Sequence, residues 1–97
     1  YLGIAGQTVA LPEPHAALAG RSEGLLVVGV TAGSPAAAGG VLVGDVLFEL
    51  DGRSVGSTDD LLELLGWIAG GKPASGRVLR GAAGVDVTLT VGERPAN

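Results

Sequence analysis

A small α+β domain is what this sequence predicts, with an antiparallel, partly closed sheet of five or six strands, one short helix and one long helix. Three observations carry that expectation. Short apolar runs rich in β-branched residues are bounded by turn signals, one stretch around Leu61 has clear helical periodicity, and the chain closes on two strand-like segments with two-residue alternation. At 97 residues, 46% of them hydrophobic, the chain has the size and apolar content of one domain with one core, and residues 1–97 are taken as a single unit.

The elements follow in order. Gly3 to Ala10 alternates modestly and is closed by Pro12 and Pro14, which fit neither an internal strand nor a helix interior. His15 to Leu18 has room for one helical turn, and the glycines of Gly20 to Gly24 mark a surface loop. Leu25 to Val30 is a buried strand by composition. Ser34 is a cap residue and Pro35 suits a first helical position, so a short helix runs through Ala38 until Gly39-Gly40 stops it. Gly44-Asp45 leads into a strand over Val46 to Leu50, with Asp45 bonding nearby backbone N–H groups. Asp51-Gly52 turns that strand, and Arg53 to Val55 returns briefly.

The long helix spans Thr58 to Ala69, with Ser57 or Thr58 as cap and Asp59, Asp60 and Glu63 near its positive end. Leu61, Leu64, Leu65 and Ile68 follow the i, i+3, i+4, i+7 spacing of a core stripe. Leu62 and Gly66 fall on an adjoining face. Trp67 lies opposite much of the stripe, where it either caps the helix junction or contacts a neighbouring domain. Gly70-Gly71-Lys72-Pro73 ends the helix. Gly76 to Arg80 and Val85 to Val91 then form a hairpin across Gly81 to Gly84, with Val85, Val87, Leu89 and Val91 on one face.

Composition narrows function. A net charge of −4 with six Lys and Arg gives no basic stripe for nucleic acid or an anionic membrane surface, and three aromatics make no stacking platform. No apolar run is long enough to cross a membrane. The expected partner is a protein. Without Cys there are no disulfides or thiolate metal sites, and the redox compartment stays open. The chain starts at Tyr1 with neither Met nor signal peptide and reads as an excised fragment. His15 is the single histidine, and none of Ser22, Ser34, Ser54, Ser57 and Ser75 has a nucleophile context, so no catalytic residue is assigned. Asp59, Asp60 and Glu63 answer the helix dipole, and no metal ligand is assigned. Gly39-Gly40 and Gly70-Gly71 lack the Lys-Ser/Thr ending of a phosphate loop, and no cofactor is expected.

Four motifs in this order resemble a known family. Tyr1-Leu2-Gly3-Ile4 opens the chain, Gly33-Ser34-Pro35-Ala36 precedes the short helix, Gly44-Asp45-Val46 enters a strand, and Asp51-Gly52 closes it. Together with Arg80-Gly81 they are similar to the PDZ domains of HtrA/Deg-type serine proteases, and the resemblance covers essentially the whole chain. It implies a PDZ-like fold in the permuted, protease-type strand order and a non-catalytic chain whose parent is a serine endopeptidase with its catalytic domain elsewhere. It also implies a bacterial periplasm or cell-envelope location in protein quality control. The implied partners are C-terminal or extended peptide segments, and the protease domain of the same full-length chain.

A peptide carboxylate is held by backbone N–H groups converging in a turn, and a glycine there allows close approach. Leu2, Gly3 and Ile4 are assigned to that loop. Tyr1, Ala5, Gly6, Leu62 and Gly66 are assigned to the groove and pocket, with Leu2 and Ile4 flanking the pocket, Leu62 on the helix wall and Gly66 leaving it roomy. The long Val9 to Gly24 segment is expected at the far end of the groove. Two rivals stay open: a scaffolding module whose groove is filled by that segment or by its own terminus, and a complete small enzyme.

Overall fold

The computed structural model describes residues 2–67, 73–81 and 83–90. The chain runs β1 (Ile4–Ala10), α1 (His15–Ala19), β2 (Glu23–Val30), α2 (Pro35–Ala38), β3 (Val46–Leu50), β4 (Arg53–Ser54), α3 (Thr58–Trp67), β5 (Pro73–Arg80) and β6 (Ala83–Thr90). The six strands form one antiparallel sheet in the order β1-β2-β3-β5-β6, with β4 paired to β3. Among the described residues the path is open, with β1 and β6 at its two edges, and the sheet does not close.

Most local expectations match. The Ser34 Oγ accepts the Ala37 N–H at 3.2 Å, and Pro35 occupies the first turn of α2. Asp51 and Gly52 both have positive φ, 53° and 80°, the backbone a two-residue hairpin turn needs. The terminal hairpin is tighter than the four-residue loop expected, because the register pairs Arg80 with Ala83. Of the helix stripe, Leu61 and Leu64 are buried and Leu65 packs against the core at partial burial. Ile68 and Val91 lie outside the described residues, as does the side chain of Trp67. Val87 and Leu89 are buried and Val85 partly so, as the alternation requires.

Two apolar clusters sandwich the sheet. Leu25, Val27, Leu47, Leu50, Val78 and Leu89 meet α2 and α3 on one face. Their sequence neighbours Phe48 and Leu79 point to the other face, where Leu11 and Ala19 cover them. The Val9 to Gly24 segment is therefore a second-face cover built around α1. Arg77 adds to that face, its guanidinium 5.5 Å from the Phe48 ring centroid and 3.0 Å from Asp86.

One close approach explains the glycine at the end of α2. A Cβ on Gly39 would stand 2.5 Å from the Thr88 carbonyl oxygen and 2.6 Å from Leu89 Cδ2, so α2 lies directly on β6 only because residue 39 has no side chain.

The β3 end of the sheet is fixed by an ion pair. The Asp45 side chain is 2% exposed and takes Arg80 Nε at 2.9 Å and Arg80 Nη2 at 2.7 Å, one on each carboxylate oxygen. The Leu42 N–H donates to the same carboxylate, and Arg80 Nη2 also donates to the Gly40 carbonyl. The cluster ties the α2–β3 connection to the end of β5. Asp45 does bond a nearby N–H as its position predicts, but its main partner lies 35 residues away.

Candidate functional site

The edge of β1 that is unpaired among the described residues, with the adjoining α3, defines the site. In a strand, the N–H and C=O of one residue point to the same side, and successive residues alternate. The Gly3 carbonyl accepts the Thr31 N–H at 2.8 Å, and the Leu11 N–H donates to the Ser22 carbonyl at 2.8 Å, so the odd-numbered residues face β2 at both ends of β1. The even-numbered residues Ile4, Gly6, Thr8 and Ala10 then present their N–H and C=O groups to the open edge. A register shift at Ala5/Gly6 places its extra residue, Val28, on β2, so the alternation along β1 is unbroken. The edge faces α3: Thr58 Oγ1 donates to the Gly6 carbonyl at 3.5 Å.

The turn leading into β1 is held from behind. The Leu2 carbonyl accepts the Ala36 N–H at 3.0 Å, which anchors it to the first turn of α2. In a trans peptide the C=O of one residue and the N–H of the next point in opposite directions. Anchoring the carbonyls of Leu2 and Gly3 therefore turns the N–H groups of Gly3 and Ile4 away from α2 and β2. Gly3 has φ 81°, in the region that only glycine enters freely, and successive N–H groups around such a residue form a concave anion-binding feature.

The side chains named from sequence divide. Ile4 is half-buried against the main core beside the edge. Leu62 is 62% exposed, projecting from α3 off the core stripe, and Gly66 is exposed with open space where a Cβ would stand. Leu2 is 2% exposed and packs within the main core, so its side chain serves the core beneath the turn. Ala5 is exposed, but by parity its backbone faces β2. A Cβ on Gly6 would lie 2.8 Å from Leu25 Cγ and 3.0 Å from the Leu26 carbonyl, so its lack of a side chain serves β1–β2 packing. Tyr1 lies outside the described residues. Thr58 escaped the sequence reading because its helix-cap position accounted for it; nothing local signals a contact with Gly6, 52 residues away.

An open antiparallel sheet, with an exposed edge strand beside a ten-residue helix and a positive-φ glycine turn at its start, defines a small edge-strand α+β module. The family model described as PDZ domain matches residues 26–80. A probable periplasmic serine endoprotease DegP-like of Halomonas elongata is 33% identical over 98% of this chain and 20% of its own length. The protein of the same description from Hahella chejuensis is 32% identical over 100% of this chain and 21% of its own. Among solved structures, the HtrA-type protease AlgW with decapeptide aligns with a TM-score of 0.76 at 32% identity, covering 100% of this chain and 30% of that one. The chain belongs to the PDZ domain family, in the form carried by HtrA-type serine proteases. It spans about a fifth of the length of those two curated relatives.

Proposed function

We propose that this domain recognises free C-terminal ends of extended protein segments by adding them as a strand to β1. In its full-length chain it acts as the regulatory or substrate-binding domain of an HtrA/Deg-type serine endopeptidase of the bacterial periplasm or cell envelope. The observation that carries this reading is the row of open backbone groups on Ile4, Gly6 and Thr8, continuous with the N–H groups of Gly3 and Ile4. The carboxylate sits at the turn, and the last peptide residue pairs with Ile4. The third and fifth residues from the end pair with Gly6 and Thr8. Ile4 and Leu62 flank the terminal side chain and Gly66 leaves room for it, which favours an aliphatic end. Thr58 yields the Gly6 carbonyl to the incoming strand. The chemistry of peptide cleavage belongs to the partner protease domain, and this chain contributes binding alone. The decapeptide in the AlgW structure supports this reading by kinship.

The scaffolding alternative requires an internally filled groove. Of its two named occupants, the Val9 to Gly24 segment packs Leu11 and Ala19 on the opposite face of the sheet, which leaves the chain's own terminus as the occupant that alternative needs. Titration with a peptide ending in an aliphatic residue, as free acid and as C-terminal amide, tests the proposal. The acid is expected to bind at least about tenfold more tightly, since charge-assisted bonds to backbone N–H groups contribute roughly 1.5–3 kcal/mol. Equal affinities contradict the carboxylate assignment.

A further inference from the structure

Alternation along β1 decides which face of the sheet each peptide side chain meets. Ile4 packs against the main core and a Cβ on Gly6 would strike Leu25, so the even-numbered positions point to the α3 face. Val9 packs with Leu11 and Phe48 on the other face, so Ala5 and Gln7 point there too. Residues directly opposite one another in an antiparallel pair share a face. A strand with its last and third-from-last residues opposite Ile4 and Gly6 therefore carries its penultimate side chain onto the second face, opposite Ala5. With the open backbone groups on Ile4 and Gly6, Ala5 meets that strand as a non-hydrogen-bonded pair, the closer kind, with Cα atoms about 4.5 Å apart.

The second face is apolar and open at that place. Among the described residues, the cover supplied by Leu11 and Ala19 ends at Val9. Ala5 is exposed, and its partner on β2 is Gly29, where a Cβ would stand 3.6 Å from that of Ala5, so neither residue rises far above the sheet. Beside them is Val28, the extra residue of the register shift. Val27 before it is buried in the main core and Val30 after it packs against that core, whereas Val28 is turned to the second face and is 50% exposed. Leu26, paired with Gln7, extends the strip at half burial. Ala5 and Gly29 thus make a shallow floor, walled by the Val28 methyls and open toward the edge where the peptide lies. β1 carries no charged side chain, and the single one on β2, Glu23, is at the far end beside Ala10.

We infer that this strip selects a large apolar side chain, aromatic above all, at the penultimate residue of the bound peptide. A ring laid across Ala5 covers the Gly29 backbone and meets Val28, since aromatic side chains reach neighbours about 7–8 Å away across a sheet. The inference rests on the strand-addition reading above. Its test titrates fluorescent decapeptides with one aliphatic, free-acid end and Trp, Ala or Asp at the penultimate position, the amide of the Trp peptide measuring non-specific adsorption. The Trp peptide is expected to bind about three- to fivefold more tightly than the Ala peptide, the upper range for an aromatic side chain paired across strands with a β-branched one. Val28→Ser, at an exposed position, should shrink that ratio. Ala5→Lys, also exposed, should shrink it and make the Asp peptide bind more tightly than the Ala peptide, because opposite charges then face each other across the strands. If Trp and Ala peptides bind the unmodified domain alike while the free acid still outbinds its amide, the groove stands and the penultimate assignment is overturned. A Trp advantage that survives both substitutions, in variants shown to fold by circular dichroism, overturns it as well. If no free-acid peptide binds, the strand-addition reading fails and takes this inference with it.

Discussion

Asp45→Ala is expected to lower the domain's stability by about 3 kcal/mol and its melting temperature by about 12 °C or more. The side chain is 2% exposed and accepts three hydrogen bonds, two from Arg80 and one from the Leu42 N–H. Removing one partner of a buried ion pair costs about 3–5 kcal/mol. The low end applies because the Arg80 side chain is 37% exposed and recovers water when released.

The pH dependence has a definite sign. Burial pushes the Asp45 carboxyl up, but the Arg80 hydrogen bonds, the Leu42 N–H and the Arg80 charge together outweigh it, so the carboxyl sits below the ordinary aspartate range. A carboxyl lower in the folded than in the unfolded chain stabilises above its unfolded value, and that contribution is lost as pH falls through the folded one. The native domain therefore loses this stability in acid, below the usual carboxylate range. In Arg80→Ala the burial remains without its counter-charge, so the carboxyl rises above its unfolded value. That variant recovers stability on mild acidification, where Asp45→Ala shows no such recovery. Thermal melts of both variants across that range check the opposite slopes.

Gly3→Val is the second large effect, and it falls on binding. At φ 81° an L-residue costs roughly 1–2 kcal/mol, and a β-branched one more. The backbone relieves that strain by rotating, which moves the N–H groups of Gly3 and Ile4 off their common target. The domain still folds, because the glycine lies outside the sheet and makes none of the core contacts. Affinity for a free-acid peptide is expected to fall at least about tenfold, matching the loss of one charge-assisted contact. Retained affinity in a folded variant, checked by circular dichroism beside the titration, contradicts the role given to this turn.

Features set by a few neighbouring residues were legible in the sequence. Ser34 before Pro35, Asp51-Gly52 and the Leu61/Leu64 spacing each encode a local geometry, and each is present. What was not legible depends on chain distance. Arg80 carries no mark of its Asp45 partner, and Thr58 carries none of Gly6. The two faces of the sheet decide which neighbour of an apolar run meets which cluster, so the Val9 to Gly24 segment was expected at the far end of the groove although its Leu11 and Ala19 cover Phe48. Gly6, assigned to the groove, and Gly39, read as a helix stop, are both explained by the close approach of another strand, which lies far away in sequence. At the site, Gly3 was legible because a positive φ restricts residue type. The side chain of Leu2 was not, because an apolar residue beside such a turn suits either pocket or core.

Residue-resolved amide hydrogen exchange, with and without a saturating free-acid peptide, tests strand addition to β1 most directly. In the free domain the amides of Ala5, Gln7 and Val9 are protected by β2, while those of Ile4, Gly6 and Thr8 exchange freely. On binding, Ile4, Gly6 and Thr8 are expected to gain protection and the odd-numbered amides to stay as they were. Binding with no gain at those three residues, or with the gain along β6 at the other edge, would contradict the account.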